Sequence, residues 1–151
     1  MTSFLTLGVV WVEHSAITHT LRAADVTLYR INLLVLLLVT FVPFPTKLIP
    51  EFIATDGPER VVAVFYGLTM LGLSLALNMF GRYAARHTEL VKDEVEAEAV
   101  RAAMRHSPSF ILYGVGIGVS VVAPTAGIAL YLVSAILRGL PPHVLRRFSL
   151  R

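Results

Sequence analysis

The sequence predicts an all-α integral membrane protein, a helical bundle with four transmembrane helices and one charged helical extension. Two observations on composition predict this class: 56% of the 151 residues are apolar and only 15% are charged, and the mean hydropathy is +0.72. A soluble domain of this length could not bury so much apolar surface, because its surface is large relative to its volume. The third observation is that the apolar residues form long runs separated by polar links, as expected for a multi-pass protein of the cell membrane.

The first predicted helix covers residues 2–21, and only its first half is apolar. As a helix, twelve apolar residues would reach about 18 Å, which is short of a hydrocarbon core of about 30 Å. Glu13 and His14 then interrupt the run. Either other helices shield this polar half inside a bundle, or Glu13 and His14 lie at the membrane interface.

The second predicted span, residues 29–52, is the most apolar part of the chain. Its 24 residues are long enough to cross the core, and Asn32 is the only strongly polar residue between positions 31 and 46. Pro43 and Pro45 are expected to bend or end the helix, because proline lacks a backbone N–H and its ring clashes with the preceding turn.

The third predicted span, residues 61–80, has twenty residues and no charge. Small residues recur at helical spacing, Ala63 with Gly67 and Gly72 with Ala76, which favours packing against another helix. Residues 82–106 then hold five basic and five acidic side chains. This segment is interpreted as a solvated helical extension, with a partner-binding helix as the alternative.

The fourth predicted span, residues 110–137, is the longest, with 28 residues and no charge. Gly114 and Gly118 form a GxxxG pair, which is typical of helix packing in membranes. Pro124 lies in the middle and is expected to kink the helix. Lys and Arg are divided almost evenly between the two sides, so the positive-inside rule does not choose an orientation, although the basic tail slightly favours a cytoplasmic C-terminus.

The sequence contains no pattern that indicates an enzyme, a cofactor or a metal site. With no cysteine, disulfides and Cys-based zinc sites are excluded. His14 and His19 are five residues apart, so on a helix they point in different directions and would not share a metal. The basic residues lie in loops and in the tail, where membrane topology explains them, so the partner predicted is the lipid bilayer and not nucleic acid.

Three short patterns resemble the transmembrane protein 175 family, the endolysosomal potassium channels of animals and their bacterial and archaeal relatives. One is W-x-x-H at Trp11 and His14. The second is Asn32 leading the string N-L-L-x-L-L-L, followed by P-F-P-T at residues 43–46. The third is P-T-x-x-x-A-L-Y-L from Pro124. The second pattern is the most specific, and together they cover most of the chain.

The resemblance implies a six-span repeat whose first span carries an Arg-x-x-x-Phe-Ser-Asp motif and lines a pore with an apolar constriction. The present sequence has no such motif, and its four spans look like the third to sixth of that repeat. Trp11, His14 and Asn32 would match a polar network that ties the pore helix to the bundle.

The implied function is K⁺ transport by a truncated or partial channel subunit. It would act in a homo-oligomer, or be completed by a separately encoded N-terminal half. The alternative is a non-conducting membrane scaffold or assembly subunit. A proton-coupled transporter that uses Glu13 and His14 ranks last, because no second intramembrane carboxylate accompanies them.

Overall fold

The computed structural model describes residues 2–52, 58–92, 98 and 109–139, and these form a bundle of helices. The order is α1 (Thr2–Thr20), α2 (Val26–Phe41), α3 (Pro43–Phe52), α4 (Pro58–Arg86), a 3₁₀ turn at Thr88–Leu90, α5 (Ser109–Val122) and α6 (Pro124–Gly139). The prediction of an all-α fold is confirmed. The core lies along α4, which the other helices surround.

Helix α2 begins at Val26 because Asp25 caps it. Asp25 has an extended backbone, and its carboxylate accepts a hydrogen bond of 2.8 Å from the backbone N–H of Leu28. This satisfies one of the donors that a helix start leaves free. At its other end α2 is interrupted at Val42, directly before Pro43, and α3 continues from there with Pro45 buried inside it.

Within the described residues, two helical stretches are long and apolar enough to cross a membrane. They are Val26–Phe52, which joins α2 and α3, and Pro58–Arg86, which is α4. The two run antiparallel, since Asp25 at the start of α2 contacts Tyr83 near the end of α4 and Phe44 of α3 packs edge-on against Phe65 in its first half.

The structure differs from the prediction for residues 110–137, which form two antiparallel helices and not one kinked helix. The hydroxyls of Ser120 on α5 and Tyr131 on α6 are 3.2 Å apart, and the rings of Tyr113 and Tyr131 are centred 6.0 Å apart. In one continuous helix, residues eighteen positions apart would be separated by about 27 Å. The chain turns back at Ala123 because Pro124 cannot continue the hydrogen bonds of α5 and instead begins α6.

The charged segment also differs from the single helix predicted over residues 82–106. Helix α4 continues to Arg86 and then ends, and the 3₁₀ turn follows. The physical reason is that the backbone from the end of the turn onwards pairs with the end of α1 and the link that follows it: Arg22 N–H donates to the Leu90 carbonyl at 2.9 Å, and Lys92 N–H donates to the Thr20 carbonyl at 2.9 Å. Residues 93–97 and 99–108 of the predicted extension lie outside the described part of the chain.

Acid should weaken the contact between Asp25 and Tyr83. The Tyr83 hydroxyl donates to the Asp25 carboxylate at 2.6 Å, and this bond, with that from the Leu28 N–H, lowers the pKa of Asp25 below its ordinary 3.8. A carboxyl whose pKa is lower in the folded state stabilises the fold above its ordinary pKa, and that contribution is lost as the pH falls below it. We therefore expect wild-type chain in detergent to melt at a higher temperature than Tyr83→Phe at pH 7, with the gap narrowing towards pH 3. A difference in melting temperature that is the same at pH 7 and pH 3 would contradict the inference that ionised Asp25 accepts the hydrogen bond from Tyr83.

Candidate functional site

One face of α1 carries aromatic and polar side chains at helical spacing. Trp11, His14, Ser15 and Thr18 lie at positions i, i+3, i+4 and i+7, so they share a face of the helix. Trp11 is 66% exposed and Thr18 is also exposed, whereas His14 and Ser15 are half-buried. Polar side chains on an otherwise apolar helical bundle mark this face as the candidate site.

His14 joins α1 to α2 through a hydrogen bond. Its Nε2 lies 2.7 Å from Oδ1 of Asn32, so the ring N–H donates to the amide oxygen. Asn32 is the one strongly polar residue in its apolar run, and this contact satisfies its acceptor within the bundle. The sequence grouped these two residues only through the family resemblance, and the fold brings them together.

Two aromatic rings stack near the imidazole of His14. Phe80 of α4 stacks on it with a centroid distance of 5.3 Å and an angle of 14° between the ring planes. Trp11 stacks at 6.2 Å and 29°. We call the group of Trp11, His14, Asn32 and Phe80 the His14 site. Phe80 is only 2% exposed and was not predicted, because in the sequence it is simply the last residue of an apolar run.

The His14 site opens into two adjoining clefts. One has a volume of about 130 Å³, and its walls include His14, Asn32 and Phe80. The other, of about 200 Å³, runs along the polar face of α1 from Trp11 to His19. The clefts are lined by hydroxyl, imidazole, amide and aromatic groups, which can accept a polar side chain of another helix.

The residues predicted to bend or pack helices are spread over the bundle. Pro43 and Pro45 lie at the junction of α2 and α3, and Pro124 begins α6. Gly114 and Gly118 are exposed on α5, and among the described residues nothing lies within 4 Å of where a Cβ would stand on either.

Among the described residues, three other glycines make close helix contacts. Added Cβ atoms on Gly67 of α4 and Gly116 of α5 would overlap Tyr131, and one on Gly127 of α6 would lie 2.9 Å from the backbone Cα of Ser120. The sequence indicated Gly67 through its helical spacing from Ala63. It gave no signal for the other two, because their partners lie on the far side of a turn that was not predicted.

Long apolar helices, with a hydrogen-bonded polar site between the first two, define the class as a helical integral membrane protein. Comparisons with known proteins identify the family. Residues 1–43 match the family described as endosomal/lysosomal potassium channel TMEM175. Potassium channel B446_29190 of Streptomyces collinus is 30% identical over 138 residues, which are 91% of this chain and 67% of that protein. Potassium channel Cha6605_3372 of Chamaesiphon minutus is 32% identical over 139 residues, 90% of this chain and 67% of that one.

The fold indicates the same family. The chain superimposes on the crystal structure of a lysosomal potassium-selective channel TMEM175 homolog from Chamaesiphon minutus with a TM-score of 0.77 and 31% identity, covering 91% of this chain and 68% of that one. The chain belongs to the TMEM175 family. The predicted resemblance, the membrane location and the relation to potassium channels are thereby confirmed, and so is the prediction of a non-enzyme, since the relatives are channels.

Proposed function

We propose that this chain is a subunit of a K⁺ channel that crosses the cell membrane several times and acts as a homo-oligomer. K⁺ would pass apolar side chains that gate the pore by excluding water. The names of the relatives supply the ion, and the hydrogen bond between His14 and Asn32 is the single observation in this chain that carries the role of subunit.

The polar side chains of the His14 site support the role of subunit. A polar side chain in contact with lipid tails costs free energy unless another group satisfies it. Asn32 meets this requirement through His14, and the Thr18 hydroxyl meets it by donating to the His14 carbonyl at 2.8 Å. Trp11 and Thr18 are nevertheless exposed, and the clefts beside them are open on one side. A helix with a polar face, packed against α1, would cover these two side chains and the clefts.

We identify that covering element with the pore-lining helix of the channel. It would come from polypeptide beyond these 151 residues, either in the same protein or in a separately encoded half. Trp11, His14 and Asn32 would then be structural residues that tie the pore helix to the bundle and would not contact the ion themselves.

The direct test measures ion flux. The purified protein is reconstituted in liposomes loaded with K⁺, and efflux is followed by a pH-sensitive dye in the presence of a protonophore. Because the proposed pore helix lies outside these 151 residues, we expect K⁺ efflux above that of protein-free liposomes when the chain is produced together with the polypeptide that supplies this helix, and weaker efflux when Na⁺ replaces K⁺. Folded, co-reconstituted protein without K⁺ efflux would contradict the proposed channel, and full efflux from the 151 residues alone would contradict a pore helix supplied from outside them.

A non-conducting scaffold is the second candidate, and one observation favours it. Gly114 and Gly118 are exposed on α5, where a second helix could approach closely. If the scaffold is the correct function, Gly114→Leu should abolish association of copies in detergent, while flux stays at the level of empty liposomes with every partner segment.

A further inference from the structure

The link between α1 and α2 is held firmly against the end of α4. Leu21 and Val91 form an antiparallel bridge, and backbone hydrogen bonds of 2.9 Å flank it on both sides, from Arg22 N–H to the Leu90 carbonyl and from Lys92 N–H to the Thr20 carbonyl. We call residues 19–25 and 83–92, which make these contacts, the clasp.

Side chains reinforce the clasp. The Arg22 guanidinium donates to the Glu89 carbonyl at 2.9 Å, and the Lys92 ammonium donates to the His19 carbonyl at 2.6 Å. The clasp is also anchored in the core, since Leu90 is 7% exposed and Val91 is 3% exposed. Both halves are therefore attached to the bundle and to each other.

Helix α1 depends on such attachments because few of its side chains are buried. Among its described side chains, only Thr6 and Ile17 are fully buried. Leu7 and Val10 are partly buried against the core, and the other contacts of α1 include polar ones: Thr6 hydrogen-bonds Tyr66, His14 bonds Asn32, and the clasp holds the C-terminal end. His14 lies little more than one helical turn before the clasp, so any shift of that end would move the imidazole.

We propose that the clasp positions the His14 site by fixing the end of α1 to α4, with Arg22, Tyr83 and Lys92 as positioning residues. A shift of α1 by about 1 Å would break a bond of 2.7 Å and separate the stacked rings. The clasp keeps His14 in register with Asn32 on α2 and Phe80 on α4. The consequence for K⁺ flux rests on the proposed function, whereas the positioning itself does not.

Two variants at position 92 separate the backbone hydrogen bond of the clasp from the side-chain hydrogen bond. Lys92→Pro removes the N–H that bonds to Thr20 and the ammonium that bonds to His19, and Val91 already has the extended backbone (φ −104°, ψ 148°) that a following proline requires. Lys92→Ala removes the ammonium but keeps the N–H, so it is the matched control.

Trp11 is the only tryptophan, and it stacks near His14, so its fluorescence reports the His14 site independently of flux. We expect Lys92→Pro to shift the Trp11 emission and to reduce K⁺ flux on the order of tenfold, the effect of losing one or two hydrogen bonds. Lys92→Ala should have a much smaller effect on both.

A rescue separates positioning from general loss of structure. The chain has no cysteine, and directly opposed residues of an antiparallel pair are close enough for a disulfide, so Leu21→Cys with Val91→Cys can be oxidised to close the clasp covalently. In the Lys92→Pro background, oxidation should restore the wild-type Trp11 emission and reduction should reverse it.

The outcomes are distinguishable. The proposal is overturned if the Trp11 emission is the same in Lys92→Pro and Lys92→Ala. It is also overturned if oxidation of the cysteine pair leaves the emission unchanged. If Lys92→Pro does not fold, Tyr83→Phe, which removes the hydroxyl that bonds to Asp25 and Thr27, must shift the emission or the proposal fails. Wild-type protein that shows no flux even with the pore-helix polypeptide present, together with a Trp11 emission that follows the clasp, supports the clasp and contradicts the proposed channel.

Discussion

Replacing Gly127 with alanine should strongly destabilise the folded chain, whereas the same change at Gly118 should not. A Cβ on Gly127 would lie 2.9 Å from the Cα of Ser120 and would also overlap the Ser120 hydroxyl, so α5 and α6 would have to move apart. Ser120 is fully buried and hydrogen-bonds both the Gly116 carbonyl and Tyr131, so it cannot move away from the added methyl group.

Overpacking of this kind costs about 1–3 kcal/mol, while alanine gains about 1 kcal/mol over glycine in a helix. The clash involves backbone and cannot be relieved by rotating a side chain, so we expect the cost to exceed the gain. At Gly118 only the gain remains, because among the described residues nothing lies within 4 Å of the added methyl group.

The measurement is the melting temperature of each purified variant in detergent, followed by loss of the monodisperse peak in size-exclusion chromatography. Gly127→Ala should melt several degrees below wild type, and Gly118→Ala at or slightly above it. Equal melting temperatures for the two variants would contradict the antiparallel arrangement of α5 and α6.

Removing either partner of the hydrogen bond between His14 and Asn32 should have the second large effect. His14→Ala leaves the Asn32 amide oxygen without its partner and also removes the ring that stacks on Phe80. Hydrogen bonds between membrane helices contribute about 0.6–1.7 kcal/mol, and an aromatic pair contributes about 0.5–1.5 kcal/mol. We expect a total loss of about 2 kcal/mol for His14→Ala.

His19→Ala is the matched control, because His19 is on the same helix, is exposed, and contributes only its backbone carbonyl to the clasp. Thermal stability is measured for His14→Ala, Asn32→Leu, the double variant and the control. The two single losses should not add in the double variant, since each removes the same hydrogen bond. Strict additivity, or a His14→Ala chain as stable as His19→Ala, would show that the contact does not stabilise the bundle.

The helical membrane class could be predicted because it depends on composition and on the length of apolar runs, which are local properties. The limits of the helices were predicted less well: the second and third spans were placed at residues 29–52 and 61–80, whereas α2 begins at Val26 after its N-cap Asp25 and α4 extends from Pro58 to Arg86. Trp11, His14 and Asn32 were grouped through the family resemblance, because spacing along the chain says nothing about a contact between residues eighteen positions apart on different helices.

The sequence by itself therefore determined that the chain is helical, that it lies in lipid, and which polar residues are costly enough there to need partners. Only the tertiary structure decided that residues 110–137 turn back at Ala123, that Gly116 and Gly127 make the close contacts that Gly114 and Gly118 do not, and that the segment after Arg86 clasps the α1–α2 link. The physical reason is the same in each case. An apolar run has the same pattern whether its helix continues or folds back, and a glycine or a backbone carbonyl acquires its role only from the atom that packs against it.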